Sequence, residues 1–130
     1  MTAVAVATVS GPAAEDCPMV ESTRAALELL TPKWRIDVLY LLARGARRYA
    51  TLHRELGTIS KKVLTQTLRA LEDDGFVERT VDTGSPVKVT YALTPRGWSV
   101  TELLTALSEW GRMHAETGPA AGTARAAEAA

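Results

Sequence analysis

The stretch from Ser60 to Gly75 predicts one amphipathic helix, both of whose ends are marked in the sequence. Ser60 is a favourable N-cap because its hydroxyl can accept a hydrogen bond from a first-turn N–H group. Gly75 suits the left-handed position that follows the last helical turn. With about 100° between successive residues, one face of this helix is apolar. That face carries Leu64, Leu68 and Leu71.

The opposite face of this helix carries cations and neutral hydrogen-bonding groups, with no acid before its C-terminal end. That order opposes the helix macrodipole, which is stabilised by acids at the N-terminus and by cations at the C-terminus. A helix that enters the major groove of DNA needs Lys and Arg there, together with Gln and Thr for base edges. A solvated surface is the alternative interpretation. The candidate base-reading residues are Lys62, Thr65, Gln66 and Arg69.

The segments on either side of this helix complete a recognisable arrangement. Tyr49–Leu56 is a short amphipathic segment, and a tight Gly-containing turn separates it from Ser60, which is typical of a helix-turn-helix. Downstream, residues 76–81 and 87–93 alternate in polarity around a Gly/Ser/Pro turn and predict a β-hairpin. The predicted fold is therefore α+β, mostly α: a winged helix-turn-helix with flanking helices at both ends.

Three further helices are predicted. The first runs from about Val20 to Leu30, and the second runs from about Lys33 to Ala43. The second is apolar nearly all round, so we expect it to be the central core helix. The last helix begins at Pro95 after the N-cap Thr94 and reaches about Ala115.

The apolar faces of the first and last helices exceed what a core of this size needs, and they predict a homodimer. The alternative is that both helices only wrap a single core. We expect one domain at residues 15–116, with flexible tails at residues 1–14 and 117–130. The candidate interface residues are Leu27, Leu30, Leu103, Leu107 and Trp110.

Charge is unevenly distributed in this chain of 130 residues, although its formal net charge is zero. Between Arg44 and Arg69 there are seven cations and one acid, Glu55. A local basic zone of this kind is typical of a DNA-binding surface. Arg47 and Arg48 are predicted to begin the helix that precedes the turn. The candidate contacts to the DNA backbone are Arg47, Arg48, His53, Arg54, Ser60, Lys61, Arg79 and Lys88.

Several classes of protein are disfavoured. One cysteine excludes a disulfide within the chain, and one cysteine with two unpaired histidines disfavours a structural zinc site. No metal or other cofactor is expected. The sequence has no apolar run near the length of a membrane span and no signal peptide, so we expect a cytoplasmic protein. It also lacks a carboxylate pair, a nucleophile motif and a phosphate-cradling glycine loop, so we expect no enzyme.

The residues resemble the HxlR-type (MarR-like) winged-helix transcriptional regulators of bacteria over about Cys17 to Gly111. That resemblance implies a homodimer with the first and last helices at its interface. It also implies that the helix after ISKK enters the major groove and that the hairpin is the wing. The matching segments are CP at Cys17-Pro18, KW at Lys33-Trp34, RRYATLHREL at Arg47–Leu56, ISKKVLTQTLRALEDDGFVERTV at Ile59–Val81, VTYALTPRG at Val89–Gly97 and EWG at Glu109–Gly111.

The tip of the wing departs from the family pattern. The family usually carries an aromatic residue and a pair of prolines there, whereas this chain has Asp82, Thr83 and Gly84 and retains only Pro86. An acid at the tip would face phosphate, so wing contacts with DNA are expected only from Lys88 and Arg79.

Cys17 resembles the N-terminal cysteine that several family members use to sense oxidants or electrophiles, a role that other members lack. A small, partly buried apolar residue is the alternative interpretation. The predicted function is a homodimeric regulator that binds a pseudo-palindrome in double-stranded DNA and is switched by Cys17 modification or a small ligand. The alternative is a winged helix that binds proteins, in which apolar residues would be expected in place of Lys62, Gln66 and Arg69.

Overall fold

The computed structural model describes residues 17–115, which form five helices and three short strands. The predicted tails at residues 1–14 and 117–130 lie outside this range, as do the predicted domain limits at residues 15 and 116. The helices are α1 (Pro18–Leu30), α2 (Arg35–Ala43), α3 (Tyr49–Leu56), α4 (Lys61–Asp73) and α5 (Pro95–Ala115). The strands are β1 (Arg47–Arg48), β2 (Val77–Asp82) and β3 (Lys88–Leu93).

The core forms around α2 and the inner face of α4. Val38, Leu39 and Leu42 of α2 are almost fully buried, so the prediction of a central core helix is confirmed. Fully burying each such side chain contributes about 1.5–3 kcal/mol. The inner face of α4 supplies Leu64, Leu68 and Leu71 to the same core, as predicted.

The connection between α1 and α2 differs from the prediction. Helix α1 begins at Pro18, slightly earlier than expected, and α2 begins at Arg35 rather than at about Lys33. The cause of the later start is Trp34, whose φ of 80° and ψ of −15° lie in the left-handed region. A right-handed helix cannot pass through such a residue, so Pro32 and Lys33 belong to the turn.

The sheet has the strand order β1-β3-β2 and is antiparallel throughout. Arg47 and Arg48 pair with Tyr91 and Thr90 of β3, so the prediction that these two arginines begin a helix is wrong. Helix α3 begins at Tyr49 instead. A strand of two residues is too short to show alternating polarity, and no periodicity marks it in the sequence.

The predicted hairpin is formed by β2 and β3, in a register that pairs Val77 with Leu93 and Asp82 with Lys88. Only its base is buried, through Val77, Tyr91 and Leu93. The exposed remainder projects as the wing, and the predicted winged helix-turn-helix fold is confirmed.

Thr94 joins the wing to the last helix. Its hydroxyl accepts a hydrogen bond from the Gly97 N–H group at 3.0 Å, which confirms the predicted N-cap of α5. The same hydroxyl donates to the carbonyl oxygen of Gly75, just beyond the end of α4. One side chain thus fixes the start of α5 against the end of α4. Within residues 17–115, no helix combines the length and the apolar character that a membrane span requires.

Candidate DNA-binding surface

The outer face of α4 is free of acids over its first three turns and open to solvent. Lys62, Gln66 and Arg69 are all exposed there. The Ser60 hydroxyl accepts a hydrogen bond from the Val63 N–H group at 3.1 Å, as the sequence predicts for the N-cap. Gly75 has a φ of 82°, which confirms the left-handed position after the helix.

Thr65 differs from the other three candidate base readers because it is half-buried and hydrogen-bonded. The Tyr49 hydroxyl donates to the Lys61 carbonyl oxygen at 2.9 Å and lies 3.2 Å from the Thr65 hydroxyl. Since the single proton of Tyr49 serves the carbonyl, the Thr65 hydroxyl must be the donor to Tyr49. Thr65 therefore retains only acceptor capacity toward a ligand.

Tyr49 also fixes the angle between α3 and α4. It stands at the first position of α3 and hydrogen-bonds to the first turn of α4. One turn further along α3, the His53 ring stacks on Tyr49 with the ring centroids 6.5 Å apart and the planes 7° apart. His53 is half-buried, whereas Arg54 and Lys61 are exposed beside it. No local sequence pattern predicts these two contacts of Tyr49, because its partners Lys61 and Thr65 lie 12 and 16 residues away.

Arg47 is engaged within the protein. Its Nε lies 2.9 Å from Glu55 Oε1, close enough for an ion pair but without the alignment of a hydrogen bond. Its Nη1 donates to the Gly45 carbonyl oxygen at 2.9 Å. The neighbouring Arg48 is exposed and makes no such contact in the described chain. The sequence pattern does not distinguish the two arginines. In the structure, the Arg48 side chain is available to contact DNA, whereas that of Arg47 is held within the protein.

A polar cleft of about 390 Å³ separates α4 from the wing. Thr65 and Arg69 of α4 and Arg79 of β2 line it, so three predicted DNA contacts are brought together. Glu72 and Tyr91 also line it. Glu72 and Tyr91 were not among the predicted site residues, since each reads as ordinary helix or strand in the sequence.

The acidic residue at the tip of the wing is hydrogen-bonded within the turn. Asp82 Oδ1 accepts a hydrogen bond from the Gly84 N–H group at 3.0 Å. In the antiparallel register, Asp82 stands opposite Lys88. The carboxylate that departs from the family pattern therefore stabilises the turn, and Arg79 remains exposed on the same strand.

An apolar surface remains uncovered on α1 and α5. Trp110 is 61% exposed and Leu107 is 49% exposed, and Leu27 and Leu103 are exposed as well. Leu30 is only 4% exposed and belongs to the core, so its assignment to an interface is corrected. The turn at residues 31–34 places the end of α1 inside the core while Leu27 stays outside.

Cys17 is the N-cap residue of α1 and is half-buried. It lines a shallow apolar hollow of about 350 Å³ with Met19, Val20, Thr23 and Arg24. The thiol therefore lies on the helix that carries part of the exposed apolar surface.

Comparison with known proteins matches residues 29–119 to the HxlR-like helix-turn-helix family. The chain belongs to this family. The uncharacterized HTH-type transcriptional regulator YtfH of Escherichia coli strain K12 is 40% identical over 97 residues, which cover 75% of this chain and 74% of YtfH. The family assignment confirms the resemblance found in the sequence.

Solved structures agree with that assignment. A transcriptional regulator assigned to the MarR family, from Enterococcus faecalis, has a TM-score of 0.74 at 33% identity, covering 81% of this chain and 96% of that one. The redox regulator HypR in its oxidized form has a TM-score of 0.65 at 31% identity, covering 72% and 96% of the two chains. The chain is thus a transcriptional regulator of the HxlR/MarR type and not an enzyme.

Proposed function

We propose that this HxlR-family protein binds a pseudo-palindromic site in double-stranded DNA as a homodimer, with α4 of each subunit in the major groove. The observation that carries the proposal is the outer face of α4, where Lys62, Gln66 and Arg69 are exposed and the first three turns contain no acid. A surface built to bind a protein would be expected to place apolar side chains at these positions. Because DNA is the proposed partner, a cytoplasmic location is part of the proposal.

The chemistry of each side chain suggests its role in the groove. Arg69 and Lys62 can donate to the O6 and N7 atoms of guanine, and Gln66 can bond to both N6 and N7 of adenine. Thr65, whose proton is engaged by Tyr49, would accept a hydrogen bond from an amino group of adenine or cytosine.

The contacts to the DNA backbone fall on both sides of α4. Before it lie Arg48, His53, Arg54, Ser60 and Lys61, and on the wing lie Arg79 and Lys88. We remove Arg47 from this set because its guanidinium is held by Glu55 and by Gly45. The proposed subunit interface consists of the exposed residues Leu27, Leu103, Leu107 and Trp110.

Gln66→Ala tests the base-reading role. We expect it to weaken binding to the cognate site by about 1–3 kcal/mol and to relax the preference at one base pair in each half-site. The cognate site is a duplex selected by the wild-type protein from a random library. Lys61→Ala, on the same exposed helix end, is the control and should weaken cognate and random DNA alike. Equal losses on both duplexes for Gln66→Ala would remove Gln66 from the base readers.

Arg48 and Arg47 provide a second, paired test. Arg48→Ala should lower the dependence of log affinity on log salt by about one unit in each half-site, because one phosphate contact is lost. Arg47→Ala should leave that salt dependence unchanged and instead lower the thermal stability, because it breaks the contacts with Glu55 and Gly45. Titrations at several salt concentrations measure the first effect. If Arg47→Ala lowered the salt dependence and left the thermal stability unchanged, Arg47 would belong to the DNA-binding surface after all.

We further propose that oxidation of Cys17 weakens DNA binding. The support is the position of Cys17 at the start of α1 and the similarity of the chain to HypR, which is a redox regulator. Diamide removes two hydrogens from two thiols, which join as a disulfide while diamide is reduced to the hydrazine. The second thiol comes from a small thiol or from Cys17 of the partner subunit, and the latter requires α-carbons within about 7 Å.

The wild-type protein and Cys17→Ser are compared in DNA titrations with and without diamide. We expect diamide to lower the affinity of the wild-type protein for DNA at least about tenfold, equivalent to about 1.4 kcal/mol. Cys17→Ser should bind normally and give no response to diamide. An equal response of the two proteins would leave Cys17 with a packing role alone.

A further inference from the structure

Arg35 joins two helices that are distant in sequence. Its Nη1 donates to the Leu29 carbonyl oxygen at 2.8 Å and to Asp74 Oδ2 at 2.7 Å. Leu29 lies in the last turn of α1, and Asp74 is the C-cap of α4. The Arg35 side chain is 15% exposed and that of Asp74 is 30% exposed, so water competes only partly for this bridge.

Each end of the bridge resolves an otherwise unfavourable feature. The last carbonyl groups of a helix have no partner within the helix, and Arg35 provides a donor for that of Leu29. An acid at the C-terminus of a helix is opposed by the macrodipole, and Arg35 neutralises it at Asp74. Asp73, its exposed neighbour, has no comparable ion pair within residues 17–115.

The turn that precedes Arg35 holds it in place. Trp34 adopts the left-handed conformation, which a bulky residue keeps only where its surroundings enforce it. Its ring packs against the core, and the Lys33 ammonium lies 5.3 Å from the ring centroid. Helix α2 therefore starts at a fixed point with Arg35 at its first position.

We propose that Arg35 is a positioning residue that couples α1 to the C-terminal end of α4 and so sets the half-site spacing that the dimer accepts. This inference depends on the proposed function, since α1 carries part of the proposed interface and α4 carries the base readers. Apolar packing through Leu64, Leu68 and Leu71 holds α4 against the core but is non-directional. The hydrogen-bonded bridge is directional and fixes the orientation of α4 relative to α1.

Asp74→Asn removes the charge that faces Arg35, and Asp73→Asn is the matched control at the adjacent exposed position. The first measurement is hydrogen exchange of the full-length proteins without DNA. We expect exchange of the amides of Thr31 and residues 33–35 to accelerate at least about fivefold in Asp74→Asn and to stay unchanged in Asp73→Asn. Arg35→Gln should accelerate the same amides, and the double variant Arg35→Gln/Asp74→Asn should add little to it. Acceleration confined to the end of α4 in Asp74→Asn would overturn the coupling.

The second measurement compares the selected pseudo-palindrome with duplexes that have one base pair inserted or removed between the half-sites. We expect the wild-type protein and Asp73→Asn to discriminate at least about tenfold between spacings, and Asp74→Asn and Arg35→Gln about twofold or less. Base preference within each half-site should be unchanged in all four, which a general loss of structure would not allow. Equal spacing discrimination in Asp74→Asn and Asp73→Asn would overturn the inference. If the wild-type protein selected no pseudo-palindrome, the proposed function would fail. Hydrogen exchange would still test whether Arg35 couples α1 to α4.

Discussion

Trp110→Glu is expected to convert the protein from a dimer to a folded monomer and to reduce its affinity for the selected DNA site at least about a hundredfold. Trp110 is the most exposed residue of the proposed interface, so the change removes little from the monomer core. In a dimer, the new carboxylate would be buried without a partner, at a cost of several kcal/mol. The large loss in DNA affinity follows because each monomer would then bind one half-site alone. It would lack the high effective concentration of the second α4 that a dimer provides.

Analytical ultracentrifugation gives the oligomeric state, circular dichroism gives the fold, and a DNA titration gives the affinity. Tyr40→Glu is the control, because Tyr40 is also a partly exposed aromatic residue but lies on α2, outside the proposed interface. It should remain dimeric and bind normally. A dimer that survives Trp110→Glu would place the interface elsewhere.

Gly97→Ala is expected to destabilise the fold by at least about 3 kcal/mol and to lower the melting temperature by more than about 10 °C. A Cβ atom at Gly97 would lie 2.1 Å from the Phe76 carbonyl oxygen and 3.1 Å from Leu93 Cδ2. The neighbouring atom at the closest approach is backbone, so rotating a side chain cannot relieve it. That carbonyl also accepts the Thr94 N–H group at 3.1 Å, so moving α5 away would lose this bond.

Gly111→Ala is the matched control in the same helix, because a Cβ atom placed there meets nothing within 4 Å apart from the adjoining residues and the nearby backbone of its own helix. An alanine in the interior of a helix should stabilise it by about 0.5–1 kcal/mol. Both substitutions are made in the Trp110→Glu background, so that the proposed interface does not enter the thermal unfolding measurement. A melting temperature of Gly97→Ala within about 2 °C of its parent would contradict the close approach of α5 to Phe76.

The central part of the fold was predictable because its signals are local. Ser60 and Gly75 mark the ends of α4, and a 3.6-residue period in its leucines identifies the buried face. The alternating runs around residues 82–86 likewise predict β2 and β3, which the structure confirms. Each of these signals depends on contacts within a few residues of the chain, which sequence patterns report directly.

The remainder depends on contacts that no local pattern contains. Apolar periodicity put Leu27 and Leu30 on one face, but the turn after α1 buries Leu30 and leaves Leu27 exposed. The charge pattern does not distinguish Arg47 from Arg48, because the ion pair of Arg47 with Glu55 forms only when α3 has folded. An acid at Asp74 is unfavourable for its helix by itself, and its partner Arg35 lies 39 residues away, beyond the reach of a local pattern.

Sequence-specific DNA binding is tested most directly by titrating the wild-type protein with two duplexes of equal length and base composition. One holds the pseudo-palindrome selected from a random library, and the other holds the same bases in scrambled order. The proposed role of α4 predicts at least about a thousandfold tighter binding to the first duplex at physiological salt. Failure of the selection to enrich any sequence, or affinities within about threefold of each other, would contradict it.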